Sequence, residues 1–314
     1  MGRIVKHLKN SYKIIIGIII GVVISGCGVY AATVIAASKV EYTDNASLGA
    51  TNVQDAIDKL NTKATTKIAE AKKECPDGYI CEKVPSFKDD SWSTIAANVK
   101  AGKASLYQVG DTKTINMGSL GTHTVRVANT STCTNGETSK TACGFVVEFA
   151  DIISNYAMNS TSTNVGGWPA SEMRTYVNTT VYNALPSELQ NVIITTTVIS
   201  SHGVTEGETN FTSNDKLYLL STKEVWGKDG TSNAISYDTA EAETRQLDYY
   251  KNKGVTTSNY SGAIKQYNGA NSTWWLRSAY SDNADGFVTV FDNGDWSSGS
   301  ADDANGVVPA FRIA

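Results

Sequence analysis

An uninterrupted apolar stretch near the N-terminus places the strongest constraint on this chain. Residues 14–38 contain no charged side chain, and residues 1–13 form a short basic tail. At about 1.5 Å per residue, a helix of this length spans the roughly 30 Å hydrocarbon core of a bilayer. The basic tail predicts that the N-terminus stays in the cytoplasm and that the rest of the chain is exported.

Three interpretations of this stretch remain open. In the first, residues 14–38 are an uncleaved transmembrane anchor. In the second, they belong to a signal peptide that is cleaved after Ala31, since the preceding residues fit a cleavage site. In the third, the sequence around Cys27 resembles a lipoprotein signal, and Cys27 carries a lipid. All three predict that the C-terminal domain is extracellular, whether the chain is a single-pass membrane protein, secreted or lipid-anchored.

Residues 39–83 are predicted to form a stalk. Asn52 is suited to cap a helix over 53–74, where apolar residues recur at steps of three and four. This narrow apolar stripe is compatible with a short coiled coil, and hence with a homo-oligomer that forms through 53–74. A monomeric helix or a solvated spacer also explains it.

Four cysteines are predicted to form two disulfides. Cys75 and Cys81 enclose a short turn-rich loop of the stalk, and Cys133 and Cys143 enclose another loop. An even number of cysteines in an exported chain indicates disulfides, and three pairings are formally open, of which the local one is favoured. A zinc site is the alternative, but its cysteines usually stand about two to four residues apart.

Residues 84–314 are predicted to form a globular α+β domain. Strand-like runs occur at 105–109, 113–117, 122–128, 144–150, 274–280, 287–292 and 306–313, and helix-like segments at 91–100 and 237–253. Short antiparallel strands, few helices and long loops are expected. Since the N-terminal tail is basic, this domain is more acidic than the whole-chain net charge of −4, which argues against a nucleic-acid partner.

Three arginines lie within apolar motifs of this domain: Arg174, Arg277 and Arg312. A buried arginine must be paired and hydrogen-bonded. We therefore expect structural roles for these arginines and for Trp275, and binding of an anionic ligand is the alternative. The expected partners are Glu172, Glu188 and Glu224.

Three motifs in a fixed order carry a family resemblance. They are GGWPASEMRTYVN at 166–178, DKLYLLSTKEVWG at 215–227, and WWLRSAY at 274–280 followed by GVVPAFRI at 306–313. Together they resemble a family of uncharacterised domains on exported proteins of Firmicutes and their phages. The resemblance implies a C-type-lectin-like fold, related to that of formylglycine-generating enzymes.

The resemblance also has a functional implication. Similar domains serve as the variable binding proteins of diversity-generating retroelements, and the interval that varies there corresponds to 281–305 here. The segment TNVQDAIDKL at 51–60 looks like part of the surface proteins of gut Firmicutes. Fold alone does not establish function.

Catalytic chemistry is hard to find in the sequence. The three histidines are His7, His123 and His202, and no P-loop, zinc-protease or nucleophile-elbow motif accompanies them. The late cysteines that formylglycine-generating enzymes use are missing after Cys143, so that chemistry is not transferred. No cofactor is expected; the Asp/Asn/Gly clusters at 282–286 and 292–295 leave calcium open, although turn formation explains them too.

The leading hypothesis is a cell-surface binding or adhesion module whose partner is an extracellular protein or glycan. Its candidate face combines aromatic and short polar side chains, as adaptable binding surfaces do. A cell-envelope enzyme with a pocket around His202 and Glu206, and a structural subunit of a surface appendage, are the alternatives. The candidate ligand-binding residues are Tyr280, Asp282, Asn283, Asp285, Phe291, Asp292, Asn293, Asp295 and Trp296.

Overall fold

The computed structural model describes residues 49–62, 85–204, 207–227 and 233–314. The chain divides into two compact units, Met1–Lys83 and Val84–Ala314. The basic tail, the apolar stretch 14–38, the second half of the predicted stalk helix and the Cys75–Cys81 loop lie outside the described residues. No helix within the described ranges is long and apolar enough to cross a bilayer.

In the first unit, a helix (α1) covers residues 53–62. The backbone N–H of Asp55 donates to Asn52 Oδ1 at 2.8 Å, so Asn52 caps this helix as the sequence predicted. A second capping bond runs in the opposite direction, from the Thr51 N–H to Asp55 Oδ2 at 3.0 Å.

The second unit is a mixed α+β structure with short elements, in agreement with the predicted class. Its helices are α2 (Trp92–Lys100), α3 (Gly167–Ala170), α4 (Glu172–Tyr176), a π-helix (Val177–Val181), α5 (Tyr182–Ala184), α6 (Ser187–Gln190), α7 (Thr222–Trp226), α8 (Asn233–Ser236) and α9 (Asp248–Asn252), with 3-10 turns at Ala104–Leu106, Gly118–Leu120, Glu241–Glu243 and Ser261–Ala263. Its strands are β1 (Thr112–Asn116), β2 (Thr122–Asn129), β3 (Val146–Phe149), β4 (Ser154–Tyr156), β5 (Ile193–Ile194), β6 (Thr196–Ser200), β7 (Phe211–Asp215), β8 (Tyr218–Leu219), β9 (Gln266–Tyr267), β10 (Ala270–Asn271), β11 (Trp274–Ala279), β12 (Gly286–Val290), β13 (Trp296–Ser300), β14 (Asn305–Val307) and β15 (Pro309–Ile313).

Two larger sheets organise this unit. The first has the order β1-β2-β3-β15-β5, with β8 also paired to β15, and these pairs are antiparallel. The second has the order β13-β12-β11-β14-β4, in which the β11–β14 pair is parallel and the others are antiparallel. Two small antiparallel pairs, β6–β7 and β9–β10, complete the strands.

The predicted strand 306–313 is divided between the two sheets. Its first part lies in β14 and its second part in β15, with Val308 between them. Pro309 begins β15, a position where its missing N–H is tolerated. The C-terminal motif therefore joins the two sheets, and its apolar residues belong to the same buried cluster as Trp274 and Trp275.

Two sequence-based assignments were wrong. The predicted strand 105–109 contains a 3-10 turn instead, and Tyr107 packs there against Phe87 and Phe145. The segment 237–253 is helical only at its 3-10 turn and in α9. Its backbone makes tertiary bonds in place of helical ones: the Leu247 N–H donates to the Glu224 carbonyl at 3.0 Å.

Candidate functional site

A fully buried ion pair joins β11, in the second sheet, to α7. Both terminal nitrogens of Arg277 donate to Glu224, at 2.6 and 2.7 Å, and neither side chain is exposed. Arg277 also donates to the carbonyl oxygens of Leu219 at 2.8 Å and Ile199 at 3.4 Å. The guanidinium thus connects β11 with β6, β8 and α7, and its donors are used within the fold.

The Glu224 carboxylate is held ionised by its surroundings. It accepts from the Ser221 N–H and the Thr244 hydroxyl, each at 2.9 Å, and from the Thr141 hydroxyl. Burial raises the pKa of Glu224, but the Arg277 charge and these hydrogen bonds outweigh burial and lower the pKa below its usual range.

The other two arginines differ from this arrangement. Arg174 Nε donates to Asp215 Oδ1 at 2.7 Å, and Trp168 Nε1 donates to the second oxygen at 2.9 Å, so its partner is none of the three expected glutamates. Arg312 is half-buried, and its Nε has no hydrogen-bond partner among the described residues.

A second buried charge cluster lies beside β3. Lys265 Nζ donates to the carbonyl oxygens of Phe149 and Ala150 and lies 3.3 Å from Glu148 Oε2. Arg126 Nε donates to the other oxygen of Glu148 at 2.8 Å. Burial and the Arg126 charge lower the pKa of Lys265 to about 7.

The nine predicted ligand-binding residues separate into two groups. Tyr280, Asp282, Asn283 and Asp285 lie in or beside the β11–β12 loop, and the other five lie in or beside the β12–β13 turn. The five residues of β12 separate the two ends by about 16 Å, at about 3.3 Å per residue. The predicted face is therefore not one continuous surface of loop residues.

Tyr237 brings one residue of each group together. Its ring centroid lies 4.6 Å from that of Tyr280 and 5.5 Å from that of Trp296. Tyr237 and Trp296 are half-buried, whereas Tyr280 is only 8% exposed. These three residues, called the aromatic face below, pack together through their rings, and Tyr237 and Trp296 are the partly exposed members.

The surroundings of the aromatic face are polar. Burial raises the pKa of Tyr280 to about 12, and the neighbouring Tyr237 hydroxyl and Asp282 carboxylate act in the same direction. Tyr280 therefore stays protonated at neutral pH. Asp282 follows Tyr280 by two residues and Ser298 follows Trp296 by two, and both polar side chains are exposed.

Asn164 holds the β11–β12 loop in place. Its Nδ2 lies 2.8–3.0 Å from the carbonyl oxygens of Tyr280, Asn283 and Gly286, and its side chain is buried. The loop side chains Asp282, Asn283 and Asp285 point outward and are exposed. Tertiary hydrogen bonds thus fix the backbone of a loop whose side chains remain accessible.

The β12–β13 turn uses its polar residues for its own structure. The Asp295 N–H donates to Asn293 Oδ1 at 2.9 Å, and the Trp296 N–H donates to Asp295 Oδ1 at 2.8 Å. Asp292 is exposed, and Phe291 is 46% exposed. No group of three or more His, Cys, Asp or Glu side chains in the described ranges is placed to hold a metal ion.

His202 lies in a cleft of about 510 Å³. Glu208 and Glu243 also line this cleft, together with threonine, asparagine and isoleucine side chains, and none of the described lining residues is an arginine. His202 Nδ1 is buried without a hydrogen-bond partner among the described residues. Glu206, which was expected beside it, lies outside those residues.

The structure describes some of the remaining predicted features, namely one disulfide and one further histidine. Cys133 and Cys143 form a disulfide, as predicted, with their Cα atoms 5.0 Å apart. The ring of His123 packs edge-on against Phe149, and its Nε2 lies 2.6 Å from the Leu120 carbonyl oxygen. His7 lies outside the described residues.

Comparison with known families gives one match. Residues 146–314, more than half of the chain, match the domain of unknown function DUF6273. The chain belongs to the DUF6273 family. No curated protein and no solved structure matches the chain.

The DUF6273 segment contains all nine predicted ligand-binding residues and the complete aromatic face. It also contains the Arg277–Glu224 pair. β1 and β2 precede the segment, yet β2 pairs with β3 and β1 pairs with β2, so both strands extend the first sheet. The matched residues therefore share their sheet with strands that the family match does not include.

The sequence analysis did not identify several residues that belong to the aromatic face or to the buried ion pairs, because they reach these sites through long-range contacts. Tyr237 was assigned to a surface helix, and Asp215, Glu148 and Lys265 were not singled out. Each meets its partners only after distant segments have packed together. The sequence around Lys265 contains no local pattern that distinguishes a buried lysine from an exposed one.

Proposed function

We propose that this DUF6273 protein is a surface-displayed binding module that contacts its ligand through the aromatic face. The observation that carries the proposal is the contact of Tyr237 with both Tyr280 and Trp296. It creates an accessible surface of amphipathic rings beside exposed polar side chains. Such rings provide a large contact area at a small cost in conformational entropy.

The restrained backbone around the face supports recognition. Asn164 anchors the loop that carries Asp282, and the Asn293 and Asp295 side chains brace the turn before Trp296. A surface that is already ordered loses little freedom when a ligand binds. The buried charges of Arg277 and Glu224, in contrast, satisfy each other and are inaccessible to a ligand.

We further propose a C-type-lectin-like fold for residues 84–314. The order of the three sequence motifs and the antiparallel hairpins before the C-terminal strand support this assignment. On this hypothesis, the interval 281–305 supplies ligand contacts through its exposed side chains. The inward-facing residues of the WWLRS motif belong to the core.

The sequence of the N-terminal region supports the proposed display at the cell surface. The basic tail and apolar stretch predict export, with residues 14–38 in the membrane when they are not cleaved. Sedimentation of the full chain tests self-association, since a strict monomer would contradict a homo-oligomer that forms through 53–74.

Binding can be tested with labelled full-length chain on a glycan array and on intact cells. We expect Trp296→Ala to weaken binding about tenfold or more, as for a central aromatic contact. Tyr237→Phe keeps the ring and removes only its hydroxyl, so it is expected to weaken binding less without disturbing the fold. Leu106→Ala, an exposed apolar residue outside the hairpins, is the matched control and should bind normally.

Phe291→Ala distinguishes the tip of the β12–β13 turn from the aromatic face. Phe291 is exposed at the turn and is expected to be dispensable. Loss of binding in Phe291→Ala together with normal binding in Trp296→Ala would assign the ligand to the turn and refute the aromatic face. A chain that binds neither the array nor the cells contradicts the binding function itself.

Export has a separate test. Proteinase K added to intact cells should remove the C-terminal domain without lysis. A domain that is degraded only after lysis would contradict surface display.

A further inference from the structure

A second aromatic surface lies at the β4 edge of the second sheet, opposite the edge formed by β13. The rings of Tyr156, on β4, and Tyr176, at the end of α4, are stacked with centroids 4.1 Å apart and planes 5° apart. Tyr156 is 36% exposed. The stack borders a cleft of about 300 Å³, whose lining residues are Tyr156, Glu172, Thr175, Tyr176, Thr179 and Thr180.

Tertiary contacts fix the two rings. The Tyr176 hydroxyl is hydrogen-bonded to Ser154 Oγ at 3.1 Å, and Trp275 Nε1 donates to the Tyr156 carbonyl at 3.0 Å. The stack is therefore attached both to the β4 strand and to the buried WWLRS motif. It presents a flat aromatic surface whose position is set before any ligand arrives.

The π-helix supplies the hydroxyl-bearing side of the cleft. Val177 and Val181 are fully buried, whereas Thr179 and Thr180 are exposed. Asn178 secures this segment, because its Oδ1 accepts from the Lys216 and Leu217 N–H groups at 3.0 Å. π-helical turns are rare, and they occur frequently at functional sites.

Among the described residues that line the cleft, Glu172 is the one that carries a charge. The Ser160 N–H and hydroxyl both donate to its Oε1, and these bonds lower its pKa. The carboxylate is therefore ionised at neutral pH, and the Glu172 side chain is exposed. None of the described lining residues is a lysine or an arginine, which disfavours an anionic ligand.

We propose that this cleft binds a neutral hexopyranose unit of an oligosaccharide. The apolar C–H face of the sugar would pack on the exposed Tyr156 ring, and its hydroxyls would donate to Glu172 and exchange hydrogen bonds with Thr175 and Thr180. The volume suits a ligand of about one sugar ring, at the lower end of the range for small-molecule sites. A compact cation is less suited, since cation sites surround the charge with several ring faces, whereas stacked rings offer one.

This site is independent of the aromatic face, so each can fail alone. The test uses saturation-transfer NMR of the full chain with cellohexaose, maltohexaose and chitohexaose as probes. We expect transfer to the ring protons of at least one probe. Tyr156→Ala should weaken its binding about tenfold, and Tyr156→Phe, which keeps the ring, should not.

Hydroxyl variants refine the assignment without disturbing the core. Thr180→Val preserves the shape and should weaken binding several-fold, whereas Thr112→Val, at an exposed threonine on β1, should have no effect. Trp296→Ala should leave oligosaccharide binding at this cleft unchanged. An unchanged far-ultraviolet circular dichroism spectrum establishes that each variant is folded.

Three results would overturn the proposal. The first is no transfer to any of the three oligosaccharides. The second is transfer that Tyr156→Ala leaves unchanged. The third is displacement of the bound oligosaccharide by millimolar tetramethylammonium, which would identify the cleft as a cation site.

Discussion

The Arg277–Glu224 pair provides the sharpest test of how the domain is held together. Replacing Arg277 by Met keeps an unbranched apolar chain but leaves the Glu224 carboxylate buried without its counter-charge. Replacing Glu224 by Gln leaves the guanidinium uncompensated instead. Both side chains are fully buried, so water cannot substitute for the lost partner.

The expected magnitude is large for either single change. Removing one partner of a buried ion pair typically costs about 3–5 kcal/mol of unfolding free energy. For a domain of this size, that loss lowers the unfolding temperature by about 6–20 °C. The double variant Arg277→Met/Glu224→Gln removes both charges, so it should be more stable than the sum of the single losses predicts, by about 2–3 kcal/mol.

Urea unfolding of the full chain, followed by tryptophan fluorescence, measures these values. Trp168, Trp226 and Trp274 are buried in the domain and report its unfolding. Lys223→Met is the matched control, since its ion pair with Glu241 is partly exposed and should contribute only about 0–1 kcal/mol. Single losses below about 1 kcal/mol, or strictly additive losses, would refute the assigned role of the pair.

Three further predictions concern other parts of the domain. The pKa of Lys265 is lowered from 10.5 to about 7 in the folded state, so the unfolded chain binds more protons between these two pH values. The unfolding free energy should therefore rise by up to about 1.4 kcal/mol per pH unit from about pH 7.5 to 9.5. In a pH series of urea titrations, Lys265→Met should remove that rise. The double change Cys133→Ser/Cys143→Ser should lower the unfolding free energy by about 2–3 kcal/mol, a loss that dithiothreitol should reproduce in the wild type but not increase in the variant. Gly294→Ala should lower the unfolding free energy by more than about 3 kcal/mol in the same titrations, because φ is +93° and a Cβ would overlap the Tyr260 carbonyl oxygen. The control Gly136→Ala, where φ is +84° and the space is open, should lower it by only about 1–2 kcal/mol. Equal losses in the two variants would contradict the steric argument.

The C-terminal motifs were predictable because their signal is local. Alternating and continuous apolar residues around Trp274 and Phe311 indicate buried strands, and an arginine within such a run requires a partner. The sequence therefore indicated that Arg277 would be paired, and Glu224 was among the candidate partners. The same reasoning failed for Arg174, since its partner Asp215 has no pattern that distinguishes it from an exposed strand end.

In the interval 281–305, local sequence patterns predict the turns but not which side chains share a surface. Its abundance of Asp, Asn and Gly predicts turns, and turns do occur there. Which side chains share a surface depends on hairpin register, since residues at opposite ends of β12 separate regardless of their similar composition. Tyr280 and Trp296 meet through Tyr237, which comes from a segment far away in the sequence.

By itself, the sequence indicated the α+β class, the Asn52 helix cap, Cys133–Cys143 as the favoured pairing and the strands that carry the WWLRS and GVVPAFRI motifs. Periodicity, capping chemistry and short loop closure operate over a few residues, so they can be read without a fold. Only the tertiary structure decided the partners of Arg174 and Lys265, the division of 306–313 between two sheets, and the two aromatic surfaces. Those features depend on contacts between segments tens or hundreds of residues apart, which form only when the sheets pack around their common core.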